Sequence, residues 1–228
     1  MPEPDTKPDL MPALGRMVQG LSALFWGLPL VLIIGVQTAR TDWLSALGPA
    51  PVVAAACLLL FGVHQLGFFQ PHERVWISVL DRARLPALVN IGLSPFLYWW
   101  HHLPQTPFFG YAISILAVSS LVFMMNLNLV VSQLSAMLPD ATMRQESRFF
   151  SAMNRNLLTS ALLYLGLGTL LANTDTPWRN SFWVYLIFVH ARLWFLGLFI
   201  LLPVAMTMAL LWKIKETIMA NVFQSPGR

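Results

Sequence analysis

The chain has 228 residues, of which 57% are hydrophobic and only 11% charged, and a mean hydropathy of +0.63; this excludes an ordinary soluble domain and places the chain in a membrane. Its formal charge is +4, but the basic residues sit in short connectors beside apolar runs, so anionic lipid headgroups rather than nucleic acid are their expected partners. A single cysteine, Cys57, excludes an intrachain disulfide and a cysteine metal cage.

Residues 1–16 read as a short leader. Its acidic, proline-containing sequence (Glu3, Asp5, Asp9) and the missing small-residue cleavage pattern exclude a cleaved secretion signal. Met17 to Val36 is the first uncharged run of spanning length, in which Pro29 is expected to kink the helix rather than end it. Ala50 to Phe69 is the second. Between Arg84 and Asp140 lie 55 consecutive residues without Asp, Glu, Lys or Arg. A helix needs only about 20 residues to cross a core of about 30 Å, so this stretch holds two spans, Leu85 to Leu103 and Phe108 to about Val131, divided by a turn in His101-His102-Leu103-Pro104-Gln105-Thr106-Pro107. Asn156 to Ala172 is the fifth. The last apolar run, Phe182 to Trp212, spans 31 residues, about 46 Å of helix, and is expected to divide into an interfacial or re-entrant piece and a span starting near Leu193.

The expected fold is therefore all-α, a polytopic bundle of six transmembrane helices over residues 17–212, with a tail at 213–228. Of the basic residues, 11 fall in connectors on one side, whereas Arg40 and Arg179 lie opposite and Arg192 is in or beside the last run. The positive-inside rule then puts both termini in the cytoplasm, with the bacterial inner membrane as the expected location. A faint repeat, Val63-His64-Gln65-Leu66 with Pro71 against Val131-Ser132-Gln133-Leu134 with Pro139 at an offset of 68, is compatible with three stacked helical hairpins.

Two connectors have amphipathic spacing. Val75, Trp76, Val79, Leu80 and Ala83 oppose Arg74, Ser78, Asp81 and Arg82; Met143, Phe150 and Met153 oppose Asp140, Arg144 and Arg148. Both read as short interfacial helices, whose cations Arg74, Arg82, Arg84, Arg144 and Arg148 would meet anionic lipid or a protein partner.

Chemistry-bearing residues are few. His190 and Arg192, with His101 and His102, are the candidates for a ligand or anion site, the alternative being Arg192 snorkelling to headgroups. A haem b would need two imidazoles at matched depth on facing helices, and His101 or His102 opposite His190 is the one available pair. Asn90, Ser94, Asn126, Asn128 and Gln133, with Gln19, Ser22, Thr159, Ser160 and Tyr164, are candidates for a polar path or for hydrogen bonds between helices. Gly92-Leu93-Ser94 with His190 resembles a fragment of the rhomboid intramembrane protease arrangement, but Pro95 replaces the second glycine of that motif and the serine lies on span three. No His-Glu-x-x-His, paired intramembrane carboxylates or acidic cluster for a metal is present in the sequence. The expected function is a permease-type or accessory subunit that works with a protein partner or as a homo-oligomer. Its topology is similar to that of the membrane half of some ATP-binding-cassette exporters. The alternatives are an assembly subunit of a larger membrane complex and a haem b electron-transfer subunit.

Overall fold

The computed structural model describes residues 10–70, 73–103, 105–137, 141–173 and 197–223. These residues are helical apart from short connections. The helices are α1 (Leu10–Arg40), α2 (Ala50–Leu66), α3 (Arg74–Leu93), α4 (Pro95–His102), α5 (Pro107–Met137), α6 (Ala141–Asn173) and α7 (Leu202–Phe223), with a 3-10 turn at Ser45–Leu47 and a π turn at Gly197–Leu201 leading into α7. The protein is an all-α, multi-pass membrane protein. Pro12–Arg40, Pro107–Met137 and Gly197–Ala220 are long and apolar enough to cross a bilayer, and Ala50–Leu66 is a shorter apolar helix.

Proline chemistry explains where the helices break. α1 runs unbroken through Pro29. The run expected as a single third span divides at Ser94 and Pro95 into α3 and α4, because Pro95 has no N–H for the ladder and its ring crowds the preceding turn. Ser94 holds the junction: its N–H reaches the Asn90 carbonyl at 2.9 Å and its hydroxyl the Ile91 carbonyl at 2.9 Å. The turn expected over residues 101–107 is shorter than that: His101 and His102 end α4 and Pro107 begins α5. In the last segment, Pro203 supplies no N–H one turn back, and the backbone widens into the π turn immediately before it.

The two connectors expected as short interfacial helices are instead continuous with the apolar helices that follow them. Residues 74–83 begin α3 and residues 141–155 begin α6. Of the apolar face of the first, Trp76, Leu80 and Ala83 are fully buried in the bundle core, whereas Val75 is exposed. The second exposes its charged residues Arg144, Glu146, Arg148 and Arg155, but its other residues do not sort by polarity. Ser147, Asn154, Leu158 and Ala161 face inward, whereas Phe149, Phe150 and Met153 are exposed. Exposed apolar side chains are what a lipid solvent permits.

The helices close a ring. α2 packs between α1 and α3, α3 against α5, α5 against α6, α6 against α7, and α7 returns to α1, while α4 rests between α1 and α5 at one end. The tightest crossing is that of α1 with α2, where a Cβ on Gly20 would come within 2.9 Å of the Gly62 carbonyl oxygen and one on Gly62 within 2.7 Å of Leu24. Small residues at a crossing let backbones approach, which is how helices adhere in lipid, where apolar burial alone gives no preference for a protein neighbour.

Buried polar side chains join α5, α6 and α7. Asn128 donates from Nδ2 to the Ser151 carbonyl at 2.9 Å, the Ser135 and Ser147 hydroxyls share a hydrogen bond, and Asn154 donates from Nδ2 to Thr207 Oγ1 at 2.9 Å. Thr207 in turn donates to the Pro203 carbonyl at 2.8 Å. A double-mutant cycle of Asn154→Leu and Thr207→Val, read from thermal unfolding of the purified protein, is expected to give a coupling of about 0.6–1.7 kcal/mol, the range for hydrogen bonds between membrane helices. Additive effects of the two changes would show that the bond contributes nothing.

Candidate functional site: an axial cavity

One end of the ring is rich in cations. Arg16 lies 4.7 Å over the Phe68 ring, Arg84 bonds Asp81 at 2.8 Å, and Lys213 pairs with Glu146. Arg84 is thus engaged within the protein, where it also packs on Gly67. Arg74, Arg82, Arg144 and Arg148 remain exposed, as a surface for anionic lipid or a partner requires. Trp76 closes this end by donating its indole N–H to the Leu66 carbonyl at 3.3 Å, a second donor beside the Phe69 backbone N–H, also at 3.3 Å.

The opposite end carries His101 and His102. His101 Nε2 meets Asp42 Oδ1 at 3.2 Å, tying α4 to the α1–α2 connection. His102 Nδ1 lies 3.0 Å from the Tyr98 carbonyl oxygen, and its ring stacks on Tyr98 with centroids 4.2 Å apart. Both histidines therefore have local partners at a helix end. His190 and Arg192, the other candidates for a ligand or haem site, lie outside the described residues. Among the described residues no three His, Cys, Asp or Glu side chains gather as a metal site.

The polar residues singled out from sequence divide by environment. Asn126 returns its amide to the Val122 carbonyl at 3.0 Å and Asn128 is taken up by α6. Asn126 lines an open groove on the outside of α3 and α5, and Gln133 is half-buried near the end of α5. Asn90 and Ser94 instead face the interior, which is hollow.

Two adjoining cavities, of about 200 Å³ and 370 Å³, lie inside the ring. The first is walled by side chains from α1, α2, α3, α5, α6, the π turn and α7, including Leu28, Leu59, Met124, Tyr164, Phe199 and Val204. The second extends from it toward Arg40 and Ser94 at the histidine end. Asn90, Ala117, Ser120 and Phe123 border both. Because every helix of the ring contributes, the space is axial rather than a gap between two neighbours. Among the described residues no Asp, Glu, Lys or His lines it, and Arg40 at the histidine end is the one charged residue that does.

Asn90 is the distinctive group of this wall. Its side-chain Oδ1 is buried without a hydrogen-bond partner, in a setting where an unpaired amide is costly. Ser120 stands out in a similar way. Ser22, Ser94, Ser114 and Ser135 each turn the hydroxyl back to a backbone carbonyl of their own helix, whereas Ser120 makes no such bond. Sequence reasoning passed over Ser120, Asn154 and Thr207. The Ser119-Ser120 pair in mid-span was the available signal for the first; Asn154 and Thr207 are 53 positions apart, and nothing local announces their pairing.

Fold and site together define a multi-pass membrane protein with an interior apolar chamber. No family model, curated protein or solved structure matches the chain.

Proposed function

We propose that the protein is a six-span permease-type subunit that holds an uncharged, lipid-like substrate in its axial cavity and draws its energy from a partner. The carrying observation is the chamber itself, walled by every helix of the ring and, among the described residues, free of carboxylates. Coupled transporters that run on protons or sodium place ionisable groups at the substrate level. A chamber whose described walls carry no carboxylate, Lys or His suits neutral cargo and an external source of work. The side bearing 11 basic connector residues is cytoplasmic in this reading, as are both termini, in a bacterial inner membrane. The exposed cations at that end, Arg74, Arg82, Arg144 and Arg148, form the surface for anionic lipid and for the partner.

Purification in mild detergent tests the reading. ATP hydrolysis is expected to co-elute with the protein, and Ala117→Trp, which fills the wall common to both cavities, is expected to abolish its stimulation by added lipid while leaving the complex intact. A stoichiometric complex without hydrolysis would make the protein an assembly subunit instead, and a Soret band would make it an electron carrier. In the same reading, a reporter fused after Arg228 reports from the cytoplasm and one inserted at Asp42 from outside; the reverse result would sink the orientation.

A further inference from the structure

We infer that the axial cavity binds a long-chain neutral alcohol, with the hydroxyl group on the Asn90 side chain at the junction of the two cavities and the hydrocarbon in the apolar lobes. The inference rests on the chamber described under the proposed function and adds the chemistry of its occupant. Three observations lead to it. Between them the cavities have the size of a small-molecule site, roughly 300–1,000 Å³, from lobes of about 200 Å³ and 370 Å³. Among the described residues their walls are apolar or neutral except for Arg40, which lines the second lobe at its histidine end and not the first; where the lobes meet, a charged ligand would be stripped of water with no charged residue lining that junction to offset the cost. At the point where the lobes meet, the Asn90 amide carries a buried oxygen with no donor, and Ser120 across the cavity from α5 presents a hydroxyl not taken by the backbone.

An amide offers a donor at one end and an acceptor at the other, and rotation about its last bond exchanges them. A hydroxyl is the smallest ligand group that donates and accepts at once, so it satisfies Asn90 in either orientation. An alkane would leave the amide unpaired. A cation or carboxylate would satisfy one end of it only and would bring a buried charge. An apolar wall accepts any hydrocarbon of suitable volume, whereas a lone polar group left unsatisfied discriminates against ligands that cannot pair with it.

The test uses the purified full chain alone in phosphatidylcholine nanodiscs, without partner or nucleotide, so it does not depend on the permease reading and can fail or succeed separately from it. The probes are a diazirine-bearing dodecanol and the matching dodecane and dodecyl quaternary ammonium. The alcohol is expected to label the Ala117 to Met124 segment saturably, with about tenfold preference over the alkane, the scale of one buried hydrogen bond, and the ammonium is expected not to compete. Asn90→Leu should remove the preference for the alcohol and raise or leave unchanged the melting temperature of the empty protein, because it deletes an unpaired amide. Ala117→Trp should abolish labelling by alcohol and alkane alike. Equal labelling by alcohol and alkane in the wild-type protein, absence of saturable labelling in that segment, or an unaltered preference in Asn90→Leu would overturn the inference. A fall in melting temperature with Asn90→Leu would do so too, since it would make the amide a packing group.

Discussion

Gly20→Val is expected to separate α1 from α2 and to lower stability by about 3 kcal/mol or more, at the upper end of what overpacking costs. The reason is geometric. A Cβ at position 20 would sit 2.9 Å from the Gly62 carbonyl oxygen and 3.0 Å from the Gln65 Cβ, and one at position 62 would meet the Gly20 carbonyl oxygen at 3.1 Å. A backbone carbonyl cannot turn aside as a side chain can, so the helices must move apart and lose the close contacts that hold them together in lipid. The control is Gly15→Ala on the same helix, where a Cβ meets nothing within 4 Å; there alanine should stabilise by about 0.5–1 kcal/mol through lower backbone entropy in the unfolded state. Thermal midpoints of the purified proteins in one detergent check both. Equal behaviour of the two variants would show that the crossing is not the determinant.

Trp76→Ala is expected to destabilise by about 3–5 kcal/mol, the range for deleting a large buried aromatic side chain. Trp76 is fully buried, in contact with the core shared by α1, α2, α3 and α5, and its indole ties α3 to the end of α2 through the Leu66 carbonyl. Trp76→Phe keeps most of the volume and loses the hydrogen bond, so its cost should be about 1 kcal/mol. Denaturant or thermal unfolding followed by the remaining tryptophans separates the two terms. If the alanine variant is as stable as the phenylalanine variant, the ring fills no space that matters. The position is informative because Trp76 belongs to a stretch whose periodicity resembles a helix lying on the membrane surface. Its apolar face is used against the protein, and its cations Arg74 and Arg82 are left outside.

These two positions illustrate how far the amino-acid sequence reaches. The 55 uncharged residues between Arg84 and Asp140 determine the solvent, because no water-soluble core of a chain this size could take them in. Helix ends were legible wherever a local rule acts alone. A turn before Pro107 was among them, although His101 and His102, read as part of it, belong to α4, as was the passage of α1 through Pro29. The break at Ser94 and Pro95 was written in the same proline chemistry, although the uncharged run concealed it.

Which face of each helix turns inward was decided by tertiary structure alone. In water the apolar stripe marks the inside; in lipid both faces are apolar, and the contrast that periodicity detects is lost. On α1, Leu21, Leu24 and Leu28 are buried while Trp26 and Ile33 are about 60% exposed, yet all five read alike in the sequence. On α6 polarity does not decide it either, with Ser147 and Asn154 inside beside Leu158, and Phe149 outside beside Arg148. Partners of the buried polar groups are equally invisible locally, since Asn128 finds Ser151 and Asn154 finds Thr207 only after α5, α6 and α7 have packed. Asn90 reads in the sequence as one more polar residue among several. Closing the ring, α7 against α1, surrounds it with apolar walls and leaves its amide without a partner, and that enclosure converts an ordinary asparagine into the focus of a chamber.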